Sequence, residues 1–120
     1  MAKTSKTNAH LQRVVRELRD LSREHAVAIW RDVADRLERS RRNWSEVNLS
    51  RVNRYAGQDD KVVVPGVLLA TGELTVPVTV AAFRASGAAR KKVEAAGGKA
   101  LSLLEMAAQN PKGSGVRILG

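Results

Sequence analysis

Short apolar runs, bounded by glycine, proline and other turn-forming residues, follow one another in the second half of this chain and limit the folds open to it. The β-branched run 61–64 is followed by Pro65-Gly66, and another apolar run covers residues 78–83. Such runs predict strands, and the Pro-Gly dipeptide predicts a turn between one strand at 61–64 and a second at 67–69. The strands are therefore expected to be short, without the long crossovers of a large βαβ fold.

Helix signals lie between these runs. Ser86 is a suitable N-cap, and Asn48 is another. Ser102 and Glu105 have the spacing of a capping box, in which each side chain accepts a hydrogen bond from the other residue's backbone N–H. These signals predict helices at 49–56, 87–96 and 103–109, with further strands at 100–101 and 115–119. The chain after residue 45 is thus predicted to be mixed α/β.

In the first third of the chain, the spacing of the apolar residues is different. Apolar residues recur there at helical spacing, which predicts two amphipathic helices, at 9–23 and 26–38, with Asn8 as the cap of the first. The apolar positions are Leu11, Val14, Val15, Leu18, Leu21, Val27, Trp30, Val33, Ala34 and Leu37. Arginine alternates with aspartate and glutamate on the other faces, so ion pairs on these helix faces are expected.

The length of 120 residues favours a single domain. Residues 1–8 are polar and are predicted to be a basic, disordered arm that carries Lys3 and Lys6. The remaining divisions are one domain at 9–120, made of a helical part at 9–45 and a mixed strand and helix core at 46–120.

Positive charge dominates the chain, since 21 Lys and Arg oppose 12 Asp and Glu and leave a net charge of +9. Residues 1–54 hold 13 of the basic side chains, and 11 of those 13 are arginines. The planar guanidinium group suits paired hydrogen bonds to phosphate, so nucleic acid is the first candidate partner and an anionic membrane surface the second. No run approaches the roughly 18 apolar residues of a membrane span, and we expect no membrane partner.

Several basic side chains are candidate RNA contacts. Those of the link after the second helix either bind phosphate or belong to a solvated loop, and we favour phosphate; Trp44 beside them is expected in the core rather than stacked on a base. Arg51 and Arg54 lie opposite the apolar stripe formed by Leu49, Val52 and either Tyr55 or Ala56, where phosphate contact and simple solvation both stay open. The predicted RNA-binding residues are Lys3, Lys6, Arg39, Arg41, Arg42, Asn48, Arg51, Arg54, Lys112 and Arg117.

Signals of catalysis are weak. His10 and His25 have no ligand-type partner nearby in the sequence, and the chain has no cysteine. Gly97-Gly98-Lys99 fails the phosphate-loop pattern because Val93 and Ala100 stand where glycine and a hydroxyl residue belong. We therefore predict no enzymatic activity, no catalytic residue, no metal, no cofactor and no small-molecule substrate.

Five stretches together resemble one family. They are Glu46-Val-Asn-Leu-Ser-Arg-Val-Asn-Arg-Tyr55, Val62-Val-Val-Pro-Gly-Val-Leu-Leu69, Val78-Thr-Val-Ala-Ala-Phe83, Ala96-Gly-Gly-Lys-Ala-Leu-Ser102 and Asn110-Pro-Lys-Gly-Ser-Gly-Val-Arg-Ile-Leu-Gly120. In order and spacing they are similar to the archaeal and eukaryotic large-subunit ribosomal protein L-eighteen-e, a relative of bacterial ribosomal protein L-fifteen. The length matches the shorter, archaeal-type members.

The resemblance implies an irregular superhelix of short β-β-α turns preceded by helices. It also implies a structural constituent of the large subunit of the cytoplasmic ribosome, bound to large-subunit ribosomal RNA and neighbouring ribosomal proteins as a monomer, without enzymatic activity or cofactor. The chain departs from the family pattern at Val67 and Val76-Pro77, where lysines are common, and at Ala70, where glycine is usual.

Two other classes of function compete with this one. A free basic DNA- or RNA-binding regulator would need base-reading side chains at the start of a recognition helix. Residues 26–29 are Ala-Val-Ala-Ile, which disfavours that alternative. A small enzyme is disfavoured because no nucleophile has a base and an orienting group near it in the pattern.

Overall fold

Five parallel strands form a sheet at the centre of the molecule. The computed structural model describes residues 6–39 and 44–120, and the side chains of 6–8 lie outside that description. The helices are α1 (Lys6–His25), α2 (Ile29–Leu37), α3 (Leu49–Tyr55), α4 (Gly87–Ala95) and α5 (Leu103–Gln109). The strands are β1 (Ser45–Asn48), β2 (Lys61–Leu69), β3 (Thr79–Ala85), β4 (Lys99–Ser102) and β5 (Val116–Ile118).

The strands lie in chain order, β1-β2-β3-β4, and β5 joins β2. Along β2, β5 pairs with Lys61–Val63 and β1 with Gly66–Leu69, so these two short strands share the edge that faces away from β3. Short helices connect β1 to β2, β3 to β4 and β4 to β5, whereas a segment without a helix connects β2 to β3. This succession of short parallel strands agrees with a superhelix of short turns. The predicted mixed α/β class is confirmed.

Side chains of alternate strand residues enter two separate cores, as the pleat of a strand requires. The first core joins Val63 and Ala81 to the buried faces of α1, α2 and α5. The second core joins Val62 and Val80 to α3 and α4. The sheet therefore has helices on both faces, and the two helical layers present separate surfaces to solvent.

The predicted turn at Pro65-Gly66 is wrong, because β2 runs unbroken from Lys61 to Leu69. The pairing of β2 with β3 shifts register between Val64 and Val67, which marks a bulge. A bulge tolerates proline, which has no N–H to donate to a neighbouring strand. A Cβ atom at Gly66 would collide with the backbone of Ser45, so this glycine permits the close approach of β1.

The N-terminal helices also differ in their bounds from the prediction. Helix α1 begins at Lys6, so Asn8 lies in its first turn and is not the cap. Residues 6–8, which were expected in the disordered arm, belong to the helix, and residues 1–5 lie outside the described residues. The buried stripe of α2 is confirmed, and its Trp30 Nε1 donates to the carbonyl of Pro111 at 2.8 Å.

Capping explains where the later helices begin. The Ser86 side chain accepts from Ala89 N at 3.1 Å, and Ser102 and Glu105 form the predicted capping box. Asn48 stands at the predicted N-cap position of α3 with extended backbone, but its side chain makes no cap hydrogen bond. No helix among the described residues is long and apolar enough to cross a membrane.

Candidate nucleic-acid interface

An exposed tyrosine surrounded by arginines lies at the end of α3. Tyr55 is 50% exposed and is the one large hydrophobic side chain classed as exposed in the described part of the chain. The Arg51 guanidinium carbon is 5.9 Å from the centre of the Tyr55 ring. The Arg117 guanidinium donates to the backbone carbonyl of Tyr55. We call Arg51, Arg54, Tyr55 and Arg117 the Tyr55 patch.

The local sequence explains why these side chains point outward. Leu49 and Val52 are fully buried in the second core, which leaves the positions of Arg51 and Arg54 toward solvent. Of the two inward candidates at the end of α3, Ala56 is the buried one, at 8% exposure.

Arg117 reaches the patch from the far end of the sequence. Its neighbours Val116 and Ile118 pack against the first core, so the alternation of β5 turns Arg117 toward the face that carries α3. Strand β5 itself is held by its pairing with Lys61–Val63 of β2. Two segments 62 residues apart thus meet at Tyr55.

The cations of the Tyr55 patch are not neutralised. Arg51, Arg54 and Arg117 form no ion pair with any carboxylate among the described residues. A guanidinium group with free N–H donors can hold a phosphate through paired charge-assisted hydrogen bonds. An exposed aromatic ring beside such cations can stack on an unpaired base.

Several arginines of α1 and α2, in contrast, form ion pairs. Arg13 pairs with Glu17 at 2.8 Å and Arg36 with Asp32 at 3.0 Å, each along one helix. Arg19 joins the two helices, because its guanidinium donates to Asp35 and Glu38 of the α2 segment. Hydrogen bonds from Arg19 to Glu38 and then to Asp35 raise the pKa of Arg19 above its ordinary value. The predicted ion pairing of these helices is confirmed.

The other predicted contacts are scattered. Arg39 is exposed just after α2, and Lys112 is exposed in the loop after α5. Asn48 is partly buried at the start of α3. Lys3, Arg41 and Arg42 lie outside the described residues, as does the side chain of Lys6.

Trp44, at the end of the basic link, belongs to the core. It is 9% exposed, its Nε1 donates to the carbonyl of Leu37 at 3.0 Å, and its ring meets the Phe83 ring edge-on at 5.2 Å. The prediction that Trp44 packs in the core rather than on a base is confirmed. The His10 ring also lies near Phe83, and the centres of the two rings are 5.5 Å apart.

Comparison with known proteins assigns the chain. A family model described as "Ribosomal protein 60S L18 and 50S L18e" matches residues 1–120. The chain belongs to this family. The large ribosomal subunit protein eL18 of Methanospirillum hungatei is 45% identical over 98% of this chain and 97% of its own length. The eL18 proteins of Halobacterium salinarum and Methanococcus maripaludis are 45% and 42% identical over 96% and 99% of this chain.

Membership of the L18 and L18e family confirms the resemblance read from the five stretches. Val67, one of the departures noted in the sequence, is partly buried and packs against the first core. Among the described residues, no group of three His, Asp or Glu side chains could hold a metal ion.

Sequence reasoning missed Tyr55 as a surface residue. The signal was available, because Leu49, Val52 and Ala56 already complete an apolar stripe and leave Tyr55 beside it, one turn after Arg51. Arg16 was likewise not among the predicted RNA-binding residues. It is exposed, lines a groove along α1 and forms no ion pair with the described residues. No pattern in the sequence could have placed Arg117 next to Tyr55, since that contact depends on the pairing of β5 with β2.

Proposed function

We propose that this chain is a structural component of the large subunit of a cytoplasmic, archaeal-type ribosome, where it binds large-subunit ribosomal RNA. Its relatives carry the name of a large ribosomal subunit protein over nearly the whole length of the chain. The net charge of +9 suits a polyanionic partner. The observation that supports the RNA contact is the Tyr55 patch. Its exposed ring has Arg51 over it, Arg117 donates to the Tyr55 backbone carbonyl, and its arginines form no ion pair among the described residues.

Each group of the patch has a defined task in this proposal. Arg54 and Arg117 donate to phosphate oxygens, while the free face of Tyr55 stacks on an unpaired base. Arg51 lies against the ring of Tyr55 and adds cation–π stabilisation. No bond is made or broken, so the contribution of the protein is to fix the conformation of the RNA.

Further contacts lie outside the patch in our proposal. They extend the interface along the basic link and the loop after α5, and they hold the phosphate backbone without reading bases. These residues are Lys3, Lys6, Arg39, Arg41, Arg42, Asn48 and Lys112. Neighbouring ribosomal proteins complete the environment of the chain, which joins the subunit as a monomer.

Two measurements test the proposal. If about five phosphates are neutralised, the logarithm of the affinity for large-subunit RNA falls with the logarithm of salt concentration at a slope near about −4. A slope near zero would contradict it. The native protein should also co-sediment with large subunits from lysate at high magnesium, whereas a free pool bound to DNA would favour the regulator instead.

A further inference from the structure

A groove with an apolar floor runs between α1 and α5, away from the Tyr55 patch. Its floor consists of Leu21 from α1 and of Leu104 and Ala108 from α5. Leu21 and Leu104 pack against the first core but remain partly exposed, and Ala108 is exposed. The groove encloses about 520 Å³, which is room for side chains of a second polypeptide rather than for water alone.

Carboxylates line the rim of this groove. Glu17 and Glu24 project from α1, and Glu105 projects from α5. Glu105 accepts a hydrogen bond from the Ser102 backbone N–H, which fixes its position without neutralising its charge. Glu24 has its side chain 69% exposed and touches only His25, at 3.5 Å, among the described residues. The lining holds four carboxylates, those of Glu17, Asp20, Glu24 and Glu105, against one guanidinium, that of Arg13, which pairs with Glu17 at 2.8 Å. The rim is therefore anionic on balance in a chain whose net charge is +9.

The two sides of α1 differ in charge. The groove toward α2 is lined by three arginines and two carboxylates, whereas the groove toward α5 is lined by four carboxylates and one arginine. Phosphate would be repelled by the excess of carboxylates, and the one guanidinium, that of Arg13, already donates to Glu17. A cationic polypeptide segment with apolar side chains fits both the rim and the floor.

We propose that the α1–α5 groove docks a lysine- or arginine-rich segment of another protein, with an apolar side chain of that segment between Leu21 and Leu104. This goes beyond RNA binding and uses the opposite face of the sheet, because α1 and α5 cover the first core and α3 covers the second. The chain thereby binds RNA through the Tyr55 patch on the layer of α3 and a protein segment through the groove on the other layer.

Binding of a labelled peptide of alternating lysine and leucine to the full chain tests the docking. Glu17→Gln, Glu24→Gln and Glu105→Gln together should weaken binding at least about tenfold, as expected when several close charge pairs are lost. Glutamine at position 105 still completes the capping box, so α5 keeps its start. Ala108→Arg, an exposed substitution by a good helix former, should block the floor and abolish binding.

The matched control changes three exposed carboxylates outside the groove by the same charge. It combines Glu46→Gln, Glu73→Gln and Glu94→Gln, and it should leave peptide affinity within about twofold of wild type, because surface charges beyond a Debye length are screened. Equal losses in both triple variants would show mere charge attraction and overturn the proposal. A peptide in which serine replaces leucine should bind at least about tenfold more weakly, since it leaves the floor uncovered.

Two other outcomes would assign the groove elsewhere. If the groove triple variant loses affinity for ribosomal RNA, then RNA occupies the groove and the proposal fails. If the chain forms a dimer that Ala108→Arg dissociates, then a second copy occupies it and the proposal also fails. Loss of RNA binding by variants of the Tyr55 patch, with peptide binding retained, keeps this test separate from the proposed function.

Discussion

Two arginine-rich regions of this protein use the same residue type in opposite ways. Around α1 and α2, the cations of Arg13, Arg19 and Arg36 face carboxylates at hydrogen-bonding distance. In the Tyr55 patch, Arg51 and Arg117 face an aromatic ring and a backbone carbonyl instead. The number of arginines therefore does not locate an RNA interface. What distinguishes the Tyr55 patch is that its arginines form no ion pair among the described residues, and we propose that this leaves them available to RNA.

The difference also separates two kinds of contribution to free energy. Exposed ion pairs such as those of α1 and α2 contribute only about 0–1 kcal/mol each to folding. Their larger effect is on binding, because a carboxylate beside a guanidinium competes with phosphate for the same donors. Ion pairing thus holds Arg13, Arg19 and Arg36 in intramolecular contacts, whereas the arginines of the patch form no ion pair among the described residues.

The largest expected effect tests whether the buried residues beneath the two regions contribute equally to the free energy of unfolding. Leu37 under α2 and Leu49 under α3 are both fully buried. Leu37→Ala and Leu49→Ala should each lower the free energy of unfolding by about 2–5 kcal/mol, through lost burial and a cavity. Chemical denaturation measures both. A loss confined to one variant would mean that the regions differ in packing as well as in charge.

The next effect tests the patch directly. Replacing Arg51, Arg54 and Arg117 together by alanine should cut affinity for large-subunit RNA more than about tenfold at physiological salt. It should also flatten the salt slope by about 1.8, because Arg54 and Arg117 are the two proposed phosphate contacts. Filter binding over a salt series measures both quantities.

The matched control for that triple variant replaces three ion-paired arginines, Arg13, Arg19 and Arg36, by alanine. The change in net charge is identical, but these cations already face carboxylates, so a smaller loss of affinity is expected. Equal losses in the two triple variants would contradict the distinction between paired and unpaired arginines. In both, exposed substitutions should change stability by less than about 1 kcal/mol.

A smaller effect separates the ring of Tyr55 from the charges around it. Tyr55→Ala should weaken RNA binding by about 1 kcal/mol, or about fivefold, which is the lower end for stacking because Arg51 already lies against the ring. Tyr55→Phe keeps the ring and should bind like wild type. If both variants bind equally weakly, the hydroxyl group rather than stacking is the contact.

The smallest effect comes from freeing one paired arginine. Asp35→Asn with Glu38→Gln removes both carboxylates that hold Arg19. Folding stability should fall by less than about 1 kcal/mol, while RNA affinity should rise by roughly twofold, about 0.4 kcal/mol. A titration with fluorescent RNA resolves this change. Unchanged affinity would show that Arg19 lies away from the RNA whatever its pairing.

Local signals predicted most helices and the start of β2 well, because periodicity and caps depend on residues that are neighbours in sequence. The capping box of Ser102 and Glu105 and the buried stripe of α2 are examples. The turn at Pro65-Gly66 was wrong for a tertiary reason. The pairing of β3 across the bulge and the contact of Gly66 with β1 keep β2 continuous, and neither neighbour is visible in the local pattern.

The candidate site was predicted only in pieces. Arg51 and Arg54 were recognised from the helical period, and Arg117 from its basic loop, yet nothing local joined the two groups. Their meeting at Tyr55 depends on the pairing of Lys61–Val63 with β5. Contacts between distant segments require the sheet topology, which composition and spacing do not contain.

The division of one edge of β2 between two strands has a consequence for synthesis. Vectorial translation delivers β1 before β2, but the segment that covers the first half of that edge, Val116–Ile118, arrives last. Until then, the backbone donors and acceptors of Lys61–Val63 on that edge have no strand partner, and such open edges invite misassociation. We therefore expect this edge of the sheet to be completed late in folding, in a slow step governed by a contact of long sequence separation.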